Sequence, residues 1–244
     1  MSAVAGTRGT ALVIGAGPGL GMSIARRFGR EGHRIALVSR TDTRHARYLG
    51  ELAEAGIEAT AYAADVRDRD RLLAVLDTVA ERNGSIDVVY YGPAAPDSGP
   101  RPGPIESIDA ESVREAMELL YPAVDVAHRV LPGMTARGAG GLLFAGGVSA
   151  VMPMPSLGAL AVLSAALRNY AVTLHAALAG TGVYAGTLTI GGLIERGDIH
   201  ALVTSQPGRY GDVAHATLNP DDLAEGAWEL YTKREHPERT FSNL

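Results

Sequence analysis

The 244-residue chain is predicted to fold as one α/β domain around a doubly wound parallel sheet. Strand-like apolar runs alternate along the chain with segments of helical periodicity, and this alternation is typical of parallel sheets. Several strands, such as residues 12–14, are apolar at every position, as expected where helices cover both faces of a sheet. A glycine-rich turn between the first strand and the first helix completes the pattern of a Rossmann-type fold.

The predicted elements follow one another without an interdomain linker. The strands are predicted at 10–15, 34–39, 58–63, 86–91, 141–146 and 182–190. The helices are predicted at 19–31, 43–55, 68–82, 109–135, 157–180 and 220–232. Residues 1–9 are expected to be a flexible N-terminus, and residues 10–244 a single domain. The segment 191–219 is long for a plain connection, so we expect it to form a substrate lid.

The composition excludes several classes of function. The formal net charge is −5 and no basic stripe with interleaved aromatic residues occurs, which argues against nucleic acid as a partner. The absence of cysteine leaves no disulfides and no thiolate chemistry, and the seven histidines lack metal-ligand spacing. No apolar run approaches about 18 residues and no signal core opens the chain, so we expect a cytoplasmic protein without membrane association.

The segment Gly15–Gly21 follows an apolar strand and opens a helix. Glycine lets the backbone turn sharply and approach a ligand closely, and the N-terminus of a helix presents free N–H groups to an anion. The segment therefore predicts a cradle for a nucleotide pyrophosphate. Its expected binding residues are Gly15, Gly17, Gly19, Leu20 and Gly21.

The end of the second predicted strand distinguishes the two nicotinamide dinucleotides. It carries Ser39 and Arg40 in place of the carboxylate that would accept hydrogen bonds from an adenosine ribose. An arginine at this position favours a 2′-phosphate, and Arg44 and Arg47 would add positive potential further along the chain. We therefore expect NADP(H) to be preferred over NAD(H).

These motifs, together with Asp65 and Val66 after the third strand, resemble those of the short-chain dehydrogenases/reductases. The resemblance extends over nearly the whole chain and includes the glycine spacing and the NADP-preferring position of Arg40. It implies that Asp65 and Val66 contact the adenine ring. Gly92, in the turn after the fourth strand, joins the expected cofactor site, although this turn departs from the family's Asn-Asn-Ala-Gly motif.

The catalytic residues of that family are absent from the matching positions. The family uses a tyrosine, a lysine four residues later, a serine thirteen residues before the tyrosine, and an asparagine in a long helix. The match places Leu160 at the tyrosine position, Ser164 at the lysine position and Gly147 at the serine position. Leu119 stands at the asparagine position. Lys233 is the only lysine in the chain and no tyrosine precedes it by four residues, so no alternative alignment restores the pair.

Other side chains are candidates for the missing proton donor, namely Ser149, Tyr91, Glu195 and Tyr210. Ser149 and Tyr91 follow or end predicted strands, and each has a structural alternative: backbone hydrogen bonding for the serine and packing for the tyrosine. The other two candidates belong to the predicted lid with His200 and His215, where charged residues are usually exposed. The substrate pocket is expected to be apolar and adaptable, formed by Gly147, Met152, Met154 and Leu160.

The predicted helices 109–135 and 157–180 are the expected assembly surfaces. The second is unusually apolar and rich in small residues. In the family that the chain resembles, these helices pair with those of a neighbour, so we expect a homodimer or homotetramer. Pro122 is expected to kink the first helix, because proline removes a hydrogen bond and clashes with the preceding turn.

Three hypotheses about function remain open on the sequence alone. The intact nucleotide site favours an atypical NADP(H)-dependent oxidoreductase acting on a small, largely apolar, pre-activated substrate such as an imine, an iminium or a conjugated system. The loss of all four catalytic positions favours a catalytically inactive NADP-binding or partner subunit. Non-redox chemistry in the same pocket, such as cyclisation or isomerisation, is the third hypothesis.

Overall fold

The computed structural model of the protein describes residues 8–94, 101–206 and 215–244. Its strands are β1 (Arg8–Ile14), β2 (His33–Ser39), β3 (Ala59–Ala63), β4 (Ile86–Tyr91), β5 (Gly140–Gly147), β6 (Val183–Gly191), β7 (Leu193–Ile194), β8 (Thr217–Leu218) and β9 (Glu238–Ser242). Its helices are α1 (Leu20–Arg30), α2 (His45–Glu54), α3 (Arg69–Asn83), α4 (Ala110–Met117), α5 (Tyr121–Arg137), α6 (Ala159–Ala177), α7 (Asp198–Thr204) and α8 (Pro220–Lys233).

Seven strands form one parallel sheet in the order β3-β2-β1-β4-β5-β6-β9. Helices α1, α2 and α8 pack on one face, and α3, α5 and α6 pack on the other. Leu12 and Ile14 of β1 are fully buried, which explains the continuous apolar run. The strand order reverses between β1 and β4, and this switch point leaves a crevice at the carboxyl edge. The predicted doubly wound α/β fold is confirmed.

The segment 191–219 contains more regular structure than the sequence indicated. Its described part forms β7, α7 and β8, and β7 pairs with β8 in a second, two-stranded parallel sheet. Residues 207–214, which include the candidate Tyr210, lie outside the described residues. The proposed role of this segment as a lid therefore stays a prediction.

The helix predicted over 109–135 is two helices, α4 and α5. The N–H groups of Leu119 and Leu120 bond to carbonyls three residues earlier, which tightens the chain between the two helices. Pro122 lies in the first turn of α5, where its missing N–H is not needed by the helix. The prediction of a kink at Pro122 inside one long helix is therefore wrong.

Helix α6 begins at Ala159, two residues later than predicted, and Gly158 explains the boundary. This glycine has a φ of 48°, which is in the left-handed region. A Cβ at Gly158 would lie 2.7 Å from the carbonyl oxygen of Gly103. Close packing against residues 103–108 therefore fixes the start of the helix.

A hydrogen-bonded ion pair joins α6 to the edge strand β9. Arg168 donates from Nε to Glu238 Oε1 at 2.7 Å and from Nη2 to Oε2 at 2.6 Å. The Thr189 hydroxyl donates to Oε1 at 2.6 Å. The hydrogen bonds from Arg168 hold the pKa of Glu238 below its usual range, against the opposing effect of desolvation. The Glu238 side chain is only 18% exposed, so the pair is largely shielded from solvent.

We expect this pair to make stability depend on acid pH. Because the pKa of Glu238 is lower in the folded chain, its contribution is present above the unfolded pKa and is lost as pH falls through the folded pKa. The variant Arg168→Met should lower the free energy of unfolding near neutral pH by about 1 to 3 kcal/mol and flatten this dependence. Urea titrations across the acid range measure both effects. The control Arg34→Met breaks an exposed pair with Glu58, and an equal loss there would contradict the prediction.

Candidate cofactor and active site

The turn between β1 and α1 requires glycine at two positions. Gly15 has a φ of 96°, and a Cβ there would lie 2.6 Å from the carbonyl oxygen of Gly92. A Cβ at Gly21 would lie 2.5 Å from the carbonyl oxygen of Gly15, so the helix starts close against the turn. Around Gly17, by contrast, a Cβ would meet open space, although this residue lines the cavity described below. The turn is tightly packed on its protein side and open on its ligand side.

Helix α1 begins with its backbone donors uncapped by side chains. Its N-cap is Gly19, no side chain caps it, and its first turn carries no acidic residue. Such an end presents N–H groups and a positive dipole, which suit a phosphate group. A Cβ at Gly19 would lie 3.1 Å from the carbonyl oxygen of Glu195 and from Cα of Gly197. The chain after β7 therefore packs directly against this turn.

A cavity of about 480 Å³ lies beside this turn, at the switch point of the sheet. Its walls come from the connections after β1 to β4, together with α2, Leu119 and Asp198. Six of the predicted cofactor residues line it: Gly15, Gly17, Ser39, Arg40, Asp65 and Val66. The other four belong to the surrounding turn, the start of α1 and the turn after β4: Gly19, Leu20, Gly21 and Gly92.

Ser39 and His45 form a fixed polar pair at the end of β2. The Ser39 hydroxyl donates to the carbonyl oxygen of Thr41 at 2.9 Å, and its oxygen lies 2.7 Å from His45 Nε2. Because the single hydroxyl proton is used for Thr41, the histidine must donate through Nε2. Burial lowers the pKa of His45, with Asp42 opposing the shift, so the neutral ring is favoured. The Ser39 hydroxyl is thereby held in one orientation at the cavity wall.

Asp65 is held in its ionised form. Arg67 donates to its carboxylate from the backbone N–H at 3.0 Å, from Nε at 3.2 Å and from Nη2 at 2.9 Å. The side-chain hydrogen bonds from Arg67 keep the pKa of Asp65 below its usual range, while desolvation opposes them. Arg67 is not part of the family motif, so its pairing with Asp65 was not predicted from the sequence.

Tyr91 has a structural role, which is the alternative to proton donation that the sequence left open. Its hydroxyl donates to the carbonyl oxygen of Leu119 at 2.6 Å, and the side chain is 1% exposed. Burial raises the pKa of this phenol above its usual range. The hydroxyl therefore secures the connection between α4 and α5, and we assign it no chemistry.

Two serine hydroxyls converge beside Gly147 at the end of β5. A Cβ at Gly147 would lie 3.0 Å from Ser164 Oγ and 3.3 Å from Ser149 Oγ. The positions matched to the family serine and lysine are therefore neighbours in space, and Leu160 lies one helical turn before Ser164 on α6. Within residues 8–94, 101–206 and 215–244, Ser149 Oγ is buried without a hydrogen-bond partner.

The remaining candidates divide between the turn after β5 and the segment after β6. Met152 and Met154 are half-buried, as is Leu160, and none of the three lines the cavity described above. Glu195 Oε1 accepts a hydrogen bond from Thr217 at 3.0 Å, which ties β7 to β8. His200 and His215 are not placed at the cavity wall.

The described part of the chain offers no metal centre. It contains no group of three or more histidine, cysteine or carboxylate side chains arranged to hold an ion. None of the helices described is long and apolar enough to cross a membrane.

Comparisons with known proteins agree with this architecture. A short chain dehydrogenase of Pseudocercospora fijiensis is 27% identical over 75% of this chain and 59% of its own length. The 1-deoxy-11-beta-hydroxypentalenate dehydrogenase of Streptomyces exfoliatus is 29% identical over 90% of this chain and 78% of its own length. The crystal structure of L-sorbose reductase from Gluconobacter frateurii, complexed with NADPH and L-sorbose, has a TM-score of 0.80 at 24% identity and covers 93% of this chain and 91% of that one.

The family description that matches is short chain dehydrogenase, and the match extends over residues 9–195. This region contains the glycine-rich turn, the cavity walls after β1 to β4, and the converging serines beside Gly147. With a parallel seven-stranded sheet of this order and the match over most of its length, the chain belongs to the short-chain dehydrogenase family.

Proposed function

We propose that the protein is an NADP(H)-dependent oxidoreductase with an atypical catalytic centre. The observation that carries the proposal is the combination of a well-formed dinucleotide cavity with Gly147, Leu160 and Ser164 at the positions matched to the family's serine, tyrosine and lysine. The cavity supports cofactor binding, whereas the three matched residues cannot supply the family's usual proton transfer. L-sorbose reductase, a protein of similar fold, was solved with NADPH bound.

The residues around the cavity fit NADP(H) in both charge and shape. The turn at Gly15–Gly21 and the start of α1 would hold the pyrophosphate. Arg40 would meet the 2′-phosphate beside Ser39, whose hydroxyl proton is used for Thr41, and the fixed carboxylate of Asp65 would accept a hydrogen bond from the adenine amino group. When bound, the cofactor supplies or accepts a hydride. The protein's own residues bind and orient it.

The catalytic centre offers no charged proton donor at the matched positions. A tyrosine phenol has a pKa of about 10 and needs a nearby cation to donate a proton near neutral pH. In this chain the corresponding side chains are those of Leu160 and Ser164, and the Tyr91 phenol is committed to Leu119. A ketone that accepts hydride develops an alkoxide, whose charge these side chains would not neutralise. Carbonyl reduction should therefore be slow.

We therefore propose a small, largely apolar substrate that is already activated for hydride transfer. An iminium carbon is electron-poor before the transfer and becomes a neutral amine after it, so the step itself needs no acid. Gly147, Met152, Met154 and Leu160 form the proposed pocket, and the flexible methionines would allow it to adapt. Ser149 and Glu195 remain candidate polar contacts for such a substrate, as does Tyr210 outside the described residues.

A substrate panel tests this function. We expect the protein to oxidise NADPH with cyclic imines and conjugated enones at least tenfold faster than with ketones of matched size, as followed by NADPH absorbance. Holding cofactor and substrate together accelerates hydride transfer to every substrate in the panel. The difference in rate between the substrate classes therefore reports the missing general acid. Faster turnover of the ketones would contradict the proposal.

A catalytically inactive partner subunit is the second candidate function, because all four family catalytic positions are replaced. Bound NADPH with no turnover across the whole panel would favour this candidate or a non-redox reaction, such as cyclisation, in the same pocket. Direct measurement of NADPH binding therefore accompanies the kinetic panel.

We also propose that the protein assembles as a homodimer or homotetramer through α5 and α6. Tyr121 and Val124 of α5 are 57% and 39% exposed in the single chain, although both are large and apolar. Helix α6 is apolar along most of its length, yet only Ala159, Leu167 and Ala171 are buried. Covering these two helices by a second copy would remove that apolar surface from water.

A further inference from the structure

A carboxylate from the distant segment 191–219 reaches the cavity wall that would meet a 2′-phosphate. Asp198 accepts hydrogen bonds from Arg44, at 2.7 Å between Oδ2 and Nη1 and at 3.0 Å between Oδ1 and Nη2. Both residues line the cavity, together with Ser39 and Arg40. Arg44 stands at the start of α2 and Asp198 at the start of α7, so the contact joins two helix starts at the cavity wall.

This ion pair contributes little to folding stability, because both partners are well exposed. The Arg44 side chain is 46% exposed and that of Asp198 is 40% exposed, and pairs of this kind add little in solvent. Two parallel hydrogen bonds from a guanidinium to two oxygens are, however, the geometry in which arginine binds phosphate. The carboxylate therefore occupies Arg44 in the way that a phosphate would.

We propose that Asp198 is an internal competitor for the cofactor's 2′-phosphate. In the cofactor-free protein its carboxylate holds Arg44. A dianionic 2′-phosphate displaces it, takes over Arg44 and repels the freed carboxylate, which releases the start of α7 from the cavity wall. NAD(H) lacks this phosphate and leaves the pair in place. Asp198 thus links the choice of cofactor to the position of α7, and this inference rests on the proposed NADP(H) function.

The residues just before Asp198 are anchored independently, and Val203 of α7 is buried with Leu193, which limits the released segment to the start of α7. Arg196 pairs with Asp221 at 2.8 Å and donates to Ser23 at 3.2 Å. The backbone at Glu195 and Gly197 packs against Gly19, as described above. None of these contacts involves Arg44. Displacement of Asp198 would therefore loosen the first turn of α7 without loosening the glycine-rich turn, while Val203 near the other end of α7 stays packed with Leu193.

The variant Asp198→Asn tests the competition, because it keeps the side-chain shape and removes the charge. Calorimetric titrations of the full chain use adenosine 2′,5′-bisphosphate and AMP, which differ only in the 2′-phosphate. We expect the bisphosphate to bind three- to tenfold more tightly to the variant, while AMP binding changes by less than twofold. The control Glu235→Gln removes an equal charge from an exposed site before β9 and should change neither affinity.

Hydrogen exchange in the unmodified protein tests the release of α7. Saturating adenosine 2′,5′-bisphosphate should accelerate exchange in peptides covering Asp198–Thr204, whereas AMP should not. Weaker bisphosphate binding by Asp198→Asn would overturn the inference, as would slower hydrogen exchange in α7 when the bisphosphate is bound. Either result would mean that Asp198 helps to hold the ligand in place. Unchanged bisphosphate affinity in the variant, with the unmodified protein still preferring it over AMP, would also overturn it. Equal affinities of the unmodified protein for both probes would instead contradict the proposed NADP(H) preference.

Discussion

Replacement of Arg40 by alanine is expected to weaken NADPH binding by about 1.5 to 3 kcal/mol, roughly ten- to 150-fold, and to leave NADH binding nearly unchanged. Arg40 lines the cavity beside Ser39, at the end of β2, where a 2′-phosphate would lie. Its loss removes a charge-assisted hydrogen bond that only the phosphorylated cofactor makes. Calorimetric titration of both cofactors against both proteins measures the difference.

Arg47→Ala is the matched control for this experiment. Arg47 lies in the first turn of α2, where its Nε is 3.6 Å from Glu51 Oε1, and it does not line the cavity. The variant removes the same charge, so any general electrostatic effect on the dinucleotide would appear in it. We expect less than a twofold change. Equal affinities of the unmodified protein for NADPH and NADH would contradict the cofactor assignment itself.

Restoring the family's catalytic residues is expected to raise ketone reduction by roughly a hundred- to ten-thousandfold, the usual contribution of a general acid. The triple variant combines Leu160→Tyr, Ser164→Lys and Gly147→Ser. The new lysine would supply the cation that lowers the pKa of the new tyrosine, and the serine would orient the substrate oxygen. The Gly147 backbone and the Ser164 side chain are already neighbours, and position 160 lies one helical turn before Ser164 on α6. Steady-state kinetics with a small apolar ketone measure the gain.

The single variants are the controls, since residues that act as a unit give little when introduced alone. Gly147→Ser by itself also has to accommodate a Cβ at 3.0 Å from Ser164 Oγ, so its thermal unfolding is measured in parallel. Ketone reduction by the unmodified protein at a rate comparable to the triple variant would show that another proton donor operates in this chain.

The framework of the fold could be predicted because its central strands are buried on both faces. A continuous apolar run, such as that of β1, is a strong local indication of a buried strand. β9 was missed because four of its five residues, Glu238 to Ser242, are polar, whereas the other edge strand, β3, is mostly apolar and was predicted. The break between α4 and α5 was missed, and a kink at Pro122 was predicted instead, because proline fits equally well in the first turn of a new helix.

The candidate site was predictable where it depends on backbone geometry and not where it depends on distant partners. Gly15 has a positive φ and Gly21 packs on the carbonyl oxygen of Gly15, so both requirements lie within one turn and the glycine spacing identified them. The contact between Arg44 and Asp198 joins residues 154 positions apart, and neither carries a local signal for the other. The hydrogen bond from the Tyr91 hydroxyl to Leu119 also joins distant residues, and it depends on where α4 ends.

The hydrogen bond between Tyr91 and Leu119 also bears on which substrates the proposed pocket would tolerate. A buried phenol and a backbone carbonyl cannot separate without leaving two polar groups unsatisfied, so this side of the crevice resists deformation. The proposed pocket also contains Met152 and Met154 from the turn after β5, whose unbranched side chains change shape at little cost. We therefore expect changes to a substrate that fall near the Tyr91–Leu119 hydrogen bond to be tolerated poorly. Changes that fall near Met152 and Met154 should be tolerated well.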